Sequence, residues 1–383
     1  MRLRSMFAQN YRSLRSIRMD LGDMTVFIGE NGTGKSNLYR ALQLVQAAIN
    51  GRLAHELAIE GGMLSVLWSG PRSKPKDPAR ICFEVEILDE ERAAAFRYRV
   101  ETGLRPPGAA AGFALEPQVK AEELSIQTGH RSVSMMKRAG PSISVRNSAG
   151  RMEDYPDQAL TSETAIAVLG DAGHFPEIAA FRRMVANWRF FHGFRTDRAS
   201  PLRHPCLAVT APILDEDGAN LAAVFATLTH TRQDTVDLDR IVASALGGAR
   251  LVVPDPGETA EFALTLPDFP YRTFHPRELS DGQIRFLGLA AALLSYRLPP
   301  FIALNEPEAS LHPDMLGPLA DMIAEASKRS QIWVVTHSMQ LAEALQSRCG
   351  VRPRRVIKED GATWIEGMRL TGVIAGEDED EED

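Results

Sequence analysis

Eight residues near the N-terminus have the types and spacing of a phosphate-binding loop. Residues 29–36 read GENGTGKS, which is the pattern G-x-x-x-x-G-K-S. Glycines permit tight turns and close approach of a phosphate to the backbone, and the N-terminus of the following helix favours an anion. Lys35 supplies a positive charge for the β- and γ-phosphates, and Ser36 a hydroxyl ligand for Mg²⁺. The sequence therefore predicts that a nucleotide is bound by Gly29, Glu30, Asn31, Gly32, Thr33, Gly34, Lys35, Ser36 and Asn37.

Two apolar segments far downstream end in polar side chains that suit phosphate chemistry. FIALNEPEASLHP carries Asn305 and Glu306, and QIWVVTHS carries His337. The carboxyl ends of strands in α/β sheets face the crevice where ligands bind. Glu306 is predicted to be the general base that polarises water for attack on a γ-phosphate. His337 is predicted to hydrogen-bond that phosphate and the attacking water.

A third segment, ELSDGQIRFLGLAAALL, predicts a second anion-binding helix N-terminus with Ser280 as its cap. A phosphate loop already surrounds the phosphates of its own nucleotide. A second anion site therefore requires another nucleotide.

The elements that position these residues follow an α/β rhythm at both ends of the chain. A strand precedes the glycine loop and a helix follows it, and after Glu278 apolar strands and helices alternate, which favours a mostly parallel core sheet. Between them, alternating residues predict an antiparallel β subdomain, and helical spacing predicts an inserted helical region. The predicted segments are 1–80 (N-terminal part of the nucleotide-binding lobe), 81–158 (antiparallel β), 159–270 (mainly helical insertion), 271–370 (C-terminal lobe) and 371–383 (acidic disordered tail).

These motifs, in this order, resemble the head domain of ATP-binding-cassette (ABC) ATPases. NYRSL near the start and EPEASLHP resemble the RecF/SMC branch, which includes many small bacterial ATPases of AAA or RecF-like type. The motifs cover about a third of the chain, and the middle third matches only loosely. The resemblance implies a P-loop NTPase fold of the ABC-ATPase head type, ATP and Mg²⁺ as cofactors, and ATP hydrolysis.

The resemblance also implies a homodimer that closes on two ATP molecules and opens on hydrolysis. The phosphate loop of one subunit would bind each nucleotide, which Ser280, Gly282 and Gln283 of the other subunit would contact. Ser310, Leu311 and His312 would form the loop between the two sites. Arg12 and Ser13, both in NYRSL, would line the nucleotide pocket, although a structural role in their strand is an equal alternative. A glutamine that senses Mg²⁺ is also implied, and Gln118 and Gln127 are equal candidates.

Asn305 departs from the family pattern, in which an aspartate at this position holds Mg²⁺ through water. An amide oxygen still accepts a hydrogen bond but brings no negative charge to the metal. We therefore expect Ser36 and Asn305 to hold Mg²⁺ weakly and turnover to be slow, as suits a switch.

Composition indicates a soluble cytoplasmic protein. The net charge of −7 comes from 50 acidic and 43 basic residues, and seven of the acids lie in the tail EDEDEED. The rest of the chain therefore has 43 acids and 43 bases and is neutral. Three widely spaced cysteines indicate a reducing compartment without a structural zinc site, and no apolar run is long enough to span a membrane.

Two functions of different classes remain open. The first is an ATPase switch that acts on DNA in repair, maintenance or defence. Its basis is a basic N-terminal edge and a basic, aromatic stretch at 189–204; the edge consists of Arg2, Arg4, Arg12, Arg15 and Arg18. The alternative is a nucleotide-gated module that binds an unidentified protein and no DNA, with those arginines paired to neighbouring acids. The SLHP segment after the catalytic glutamate disfavours a transporter cassette. A fused nuclease is also disfavoured, because the roughly 45 residues after His337 are too few for a further acidic metal-binding domain.

Overall fold

The computed structural model describes residues 1–71, 79–104, 113, 115–147, 149–155, 159–169, 174–233 and 235–369. The acidic tail and most of the loop after Gly103 lie outside these residues. The strands are β1 (Arg2–Tyr11), β2 (Leu14–Asp20), β3 (Met24–Ile28), β4 (Arg80–Asp89), β5 (Ala94–Gly103), β6 (Gln118–Thr128), β7 (Arg131–Ala139), β8 (Ser142–Arg146), β9 (Met152–Asp154), β10 (Arg189–His192), β11 (Cys206–Leu207), β12 (Arg250–Val252), β13 (Thr259–Ala260), β14 (Ala263–Leu266), β15 (Phe269–Phe274), β16 (Phe301–Asn305), β17 (Gln331–Thr336), β18 (Arg354–Glu359) and β19 (Ala362–Ile365).

The helices are α1 (Lys35–Ile49), α2 (Leu53–Ile59), α3 (Met63–Val66), α4 (Ala165–Val168), α5 (Pro176–Ala186), α6 (Leu221–Ala226), α7 (Val236–Ala245), α8 (Asp281–Leu294), α9 (Leu316–Ser327) and α10 (Met339–Cys349). Short 3₁₀ turns cover Pro201–Arg203 and Pro313–Met315, and a π-helical turn covers Thr227–Arg232. None of the described helices is long and apolar enough to cross a bilayer.

The chain forms two compact units, and the segment boundaries given above stay a prediction. Unit 1 comprises residues 1–22, 29–188 and 355–383, and unit 2 comprises residues 23–28 and 189–354. The division falls on either side of β3 because this strand pairs with β17, whereas the loop after it belongs with α1 in unit 1. The segment 159–270 contains short strands as well as helices.

Unit 1 is built on an eight-stranded antiparallel sheet with the strand order β2-β1-β4-β5-β6-β7-β8-β9. Alternating apolar residues bury one face, where Phe96 and Tyr98 of β5 pack on Phe181 of α5 with ring centroids 5.7 and 5.5 Å apart. The segment LRSMFAQNYRSL contains most of β1 and the first residue of β2, because Arg12 adopts a left-handed conformation (φ 49°) that turns the chain between the two strands.

Unit 2 contains a parallel sheet with the strand order β10-β16-β17-β3. Every residue of β16 and β17 is buried, as expected for continuous apolar runs covered on both faces. Helices α8 and α9 pack against each other, and α9 and α10 contact β17. The remaining strands of unit 2 form two small antiparallel sheets, β11-β13 and β12-β14-β15. Parallel pairing brings the carboxyl ends of β10, β16 and β17 to one edge, where the predicted polar residues lie.

Candidate functional site

The glycine loop in unit 1 leads directly into α1, and Gly34 is the residue before the helix. Its backbone is left-handed (φ 98°), and a Cβ atom there would lie 1.8 Å from Thr363 Oγ1 and 2.5 Å from Ser13 Oγ. Gly32 is also left-handed (φ 81°) but faces open space. Both glycines permit a conformation that other residues rarely adopt, and Gly34 alone of the two also avoids a steric clash.

Lys35 is buried inside this loop. Its side chain is 4% exposed, and Nζ donates hydrogen bonds to the carbonyl oxygens of Gly29 (2.6 Å) and Glu30 (2.7 Å). The loop carbonyls thus hold the ammonium group where the backbone turns around it. A phosphate entering the loop would offer charged acceptors in their place.

A chain of hydrogen bonds from distant segments fixes the loop from outside. Asn37 Nδ2 donates to Ser13 Oγ (2.7 Å), Ser13 Oγ and Thr363 Oγ1 are 2.6 Å apart, and Thr363 Oγ1 donates to the carbonyl of Thr33 (2.8 Å). Thr363 lies on β19 and is 1% exposed. Sequence reasoning did not find it, since nothing local marks a threonine so far from the loop.

Arg12 makes contacts that the sequence did not predict. Its guanidinium group pairs with Glu60 (2.7 Å) and lies over the Tyr11 ring, 5.6 Å from the centroid. Tyr11 also donates to Glu60 (2.7 Å). These contacts match the structural alternative for Arg12, and a role in the nucleotide pocket stays a prediction.

The two candidate Mg²⁺-sensing glutamines both lie on β6, at its start and near its end. Gln118 accepts a hydrogen bond from Lys120, and Gln127 donates to the carbonyl of Gly129. These contacts do not distinguish between the two candidates.

In unit 2, Asn305 ends β16 beside His192, the last residue of β10. The two residues are register partners in the parallel sheet, and Asn305 Nδ2 lies 2.5 Å from His192 Nδ1. Asn305 is 2% exposed, and its Oδ1 atom has no hydrogen-bond partner among the described residues. A buried acceptor without a donor fits a water molecule held by a metal ion.

Glu306 follows in a left-handed conformation (φ 48°), which is strained for a residue with a side chain. Its backbone N–H donates to the carbonyl of Val335 on β17 (2.8 Å), and its own carbonyl accepts from Arg285 Nη2 (2.9 Å). Contacts to the neighbouring strand and to α8 therefore hold this backbone. Its side chain is half-buried just past the sheet edge.

Glu308, which sequence reasoning missed, connects this turn to His337. The Glu308 carboxylate is buried, and Oε1 accepts from Thr336 Oγ1 (2.5 Å) and from the backbone N–H of His337 (3.0 Å). The same oxygen lies 3.3 Å from His337 Nδ1. This contact favours the tautomer with hydrogen on Nδ1, so that Nε2 is available as an acceptor. The spacing of two glutamates in NEPE was the only local signal.

Arg285 on α8 faces both glutamates. Burial lowers the pKa of its guanidinium group, and the negative charges of Glu308 and Glu306 oppose this shift. Its Nε atom is buried without a partner in the described part of the chain. The strand end therefore combines a buried cation with two carboxylates.

The predicted cap at the start of α8 is confirmed. Ser280 Oγ accepts from the backbone N–H of Gln283 (3.3 Å), and Gln283 Oε1 accepts from the N–H of Ser280 (2.9 Å), which forms a capping box. At Gly282 a Cβ atom would come within 3.0 Å of the carbonyl oxygen of Ser310. This short distance shows that the predicted SLHP loop packs closely against the helix start. Ser310 itself has a left-handed backbone (φ 62°).

Arg203, which belongs to the stretch 189–204, holds the same helix start with hydrogen bonds. It is 6% exposed, and its guanidinium group donates to the carbonyls of Pro276 and Leu279 (2.7 Å each) and to Asp281 (2.8 Å). Sequence reasoning read this stretch as a basic, aromatic surface. Arg203 is instead a buried structural residue, so the stretch offers less free positive charge than its composition indicates.

Several arginines of the proposed basic N-terminal edge are paired with acids. Arg4 contacts Glu86 and Arg18 contacts Glu84, both at 3.0 Å. These pairs, and that of Arg12, match the alternative in which the arginines bind neighbouring carboxylates. Paired arginines offer less charge for a phosphate backbone.

Comparisons with known proteins find ATPase families. Residues 1–74 match the family "AAA ATPase domain", and residues 160–343 match the family "AAA domain, putative AbiEii toxin, Type IV TA system". The thiamine import ATP-binding protein ThiQ of Chelativorans sp. (strain BNC1) is 37% identical over 90 residues, which cover 23% of this chain and 36% of that protein. The chain thus spans about a third of the length of this relative.

Solved structures of SMC heads have the same fold. An SmcHead bound to the C-winged helix domain of ScpA superposes with a TM-score of 0.55 at 15% identity, covering 95% of this chain and 97% of that chain. The Smc head domain with an extended coiled coil bound to the C-terminal domain of ScpA, derived from Pyrococcus furiosus, gives 0.54 at 14% identity and covers 95% of each chain. Both matched families are AAA ATPase domain families, and the fold of the chain is that of the solved SMC heads.

Proposed function

We propose that this chain binds ATP with Mg²⁺, hydrolyses it slowly and acts as a nucleotide-dependent switch. In unit 1, the loop at 29–36 supplies backbone N–H groups and the buried ammonium group of Lys35 for the phosphates. In unit 2, the carboxyl end of β16 supplies Glu306 as the base. β17 and Arg285 hold the backbone of Glu306 at the strand end, and its carboxylate would accept a proton from water.

In each unit, the residue predicted to serve Mg²⁺ suits it by its own chemistry. Asn305 Oδ1 is a buried acceptor without a donor, suited to a metal-bound water, and Ser36 is an exposed hydroxyl at the start of α1. When bound, Mg²⁺ would neutralise phosphate charge. Within the described residues no group of three or more His, Cys, Asp or Glu side chains is placed to hold a metal ion. Such sparse protein ligation is usual for Mg²⁺, which keeps waters and phosphate oxygens.

The observation that carries this proposal is the arrangement of Asn305, Glu306 and His337 at adjacent strand ends. We propose that Nε2 of His337, left available by the contact between Nδ1 and Glu308, accepts a hydrogen bond from the attacking water. An amide at Asn305 adds no negative charge, which is why we propose slow turnover. Asn305→Asp should raise the hydrolysis rate and lower the Mg²⁺ concentration required; if neither changes, the amide does not limit turnover.

We further propose that two heads dimerise face to face around two ATP molecules. The support is the exposed, capped N-terminus of α8, where Ser280, Gly282 and Gln283 present an anion-binding helix end. The test is the molar mass of Glu306→Gln by light scattering with and without ATP. This variant should bind ATP, fail to hydrolyse it and accumulate as a dimer, whereas a Lys35→Ala control should remain monomeric. A Glu306→Gln protein that stays monomeric at saturating ATP would exclude this mechanism.

The process in which the switch acts is proposed as DNA repair, maintenance or defence, in the cytoplasm. The alternative, a nucleotide-gated module that binds a protein partner and no DNA, is favoured by the arginines paired with acids. The solved SMC heads above are bound to parts of ScpA, which makes a protein partner a concrete alternative. DNA binding that rises with ATP and falls with salt would support the first function, and its absence at low salt would support the second.

A further inference from the structure

Asn305 differs from an aspartate in that the orientation of its side-chain amide matters. A carboxylate presents two equivalent oxygens, so either orientation offers an acceptor. A carboxamide presents an oxygen at one end and an NH₂ group at the other, and the two ends have nearly the same shape. Asn305 can therefore serve a Mg²⁺-bound water only if something selects which end faces it.

His192 is placed to make this selection. Parallel pairing puts it in register with Asn305, and its Nδ1 atom lies 2.5 Å from Asn305 Nδ2. A neutral imidazole nitrogen without hydrogen accepts a hydrogen bond and cannot donate one. An acceptor at this point therefore draws the NH₂ end of the amide and turns Oδ1 away.

The state of Oδ1 agrees with this orientation. Asn305 is 2% exposed, and no described donor reaches Oδ1. An unpaired buried oxygen costs stability unless a ligand satisfies it. The opposite orientation would leave the NH₂ group facing the same space, where it would repel a metal ion.

We propose that His192 is a positioning residue that holds the amide of Asn305 with its oxygen toward Mg²⁺-bound water. The proposal rests on the proposed ATP and Mg²⁺ function. It explains how an asparagine can stand where the family has an aspartate. It also assigns a role to a histidine that lies 113 positions from Asn305 in the sequence.

The experiment measures equilibrium binding of a fluorescent ATP analogue at a series of Mg²⁺ concentrations and in EDTA. His192→Phe keeps a ring without an acceptor, and His192→Ala is a second variant without one. Each should raise the Mg²⁺ concentration for half-maximal binding by about 2- to 10-fold, the factor that one hydrogen bond is worth. Binding in EDTA should stay the same, and the nucleotide-free unfolding midpoint should fall because the buried NH₂ group of Asn305 loses its acceptor.

Two further variants separate positioning from a general structural role. His192→Asn places an amide oxygen near the former Nδ1 atom and should retain the wild-type Mg²⁺ requirement within about 2-fold. In an Asn305→Asp background, His192→Phe should change that requirement by less than about 2-fold, because a carboxylate needs no orientation.

The outcomes distinguish the two levels of proposal. An unchanged Mg²⁺ requirement in His192→Phe and His192→Ala, or an equal shift in the Asn305→Asp background, would overturn the role of His192 alone. A wild-type protein that binds the analogue no better with Mg²⁺ than in EDTA would overturn both this role and the proposed use of Mg²⁺. A wild-type protein that does not bind the analogue at all would overturn the proposed function with it.

Discussion

Replacing Gly34 with alanine should disable the phosphate loop, whereas the same change at Gly32 should not. Both backbones are left-handed, so each alanine costs about 1–2 kcal/mol in conformational strain. Only at position 34 would the new Cβ meet neighbours, 1.8 Å from Thr363 Oγ1 and 2.5 Å from Ser13 Oγ. Relieving that overlap breaks the hydrogen bonds that Thr363 makes to Ser13 and Thr33, which adds about 1–3 kcal/mol to the loss of stability. We therefore expect Gly34→Ala to cost about 2–5 kcal/mol and Gly32→Ala about 1–2 kcal/mol.

The assay is urea unfolding of both variants, combined with titration of a fluorescent ATP analogue. Gly34→Ala should lose analogue binding at concentrations that saturate the wild type, and Gly32→Ala should retain it with reduced affinity. Adding Thr363→Ala to Gly34→Ala should restore stability only in part, since Ser13 Oγ still lies within 2.5 Å of the new Cβ. Equal losses at positions 32 and 34 would refute the reasoning, because strain alone would then account for both.

Three other predictions concern residues to which the sequence assigned no role in the site. Glu308→Gln should lower ATP turnover by about 10- to 100-fold, the value of a charged hydrogen bond, and retain the affinity for the analogue. Thr336→Val removes only one donor to Glu308 and should lower turnover less. A larger loss of turnover in Thr336→Val would contradict the role of Glu308 in orienting His337. Arg203→Ala should weaken ATP-dependent dimerisation in light scattering but not analogue binding. Arg195→Ala, a change to an exposed arginine, should affect neither. Equal effects of the two changes would contradict the role of Arg203 in holding the start of α8. Burial would raise the pKa of Glu101, but hydrogen bonds from two arginines outweigh it and hold the pKa below its ordinary value of 4.5. Its stabilising contribution is therefore present above that pH and lost as the pH falls through the lower folded-state value, so wild type should lose more urea stability than Glu101→Gln between about pH 7 and about pH 3.5. Equal losses would show that Glu101 contributes nothing.

Local patterns identified the features of the fold and site that depend on neighbouring residues. The glycines of the loop, the cap at Ser280 and the polar residues after β16 and β17 all follow from motifs or runs of a few residues. Such patterns reflect backbone conformation and burial, which nearby residues largely determine.

The contacts that sequence reasoning missed join segments far apart in the chain. Thr363 reaches Ser13 across 350 positions, and His192 reaches Asn305 because β10 pairs with β16 in one particular register. A one-residue slip would turn His192 to the other face of the sheet. Arg203 was misread for a related reason: composition gives the charge of an arginine but not whether carbonyl groups surround it.

The end of β16 shows why these distant contacts matter to the chemistry. Among the buried side-chain polar atoms without a partner in the described residues, three belong to this strand end and its contacts: Asn305 Oδ1, Glu308 Oε2 and Arg285 Nε. Each unsatisfied atom costs about 1–3 kcal/mol, and native structures rarely retain such groups without a reason. In every case the other end of the side chain is held by a fixed partner, His192, Thr336 or the carbonyl of Glu306 respectively. This arrangement fixes the side chains while leaving one polar atom of each unpaired, and those atoms are the ones that water, metal or phosphate would satisfy.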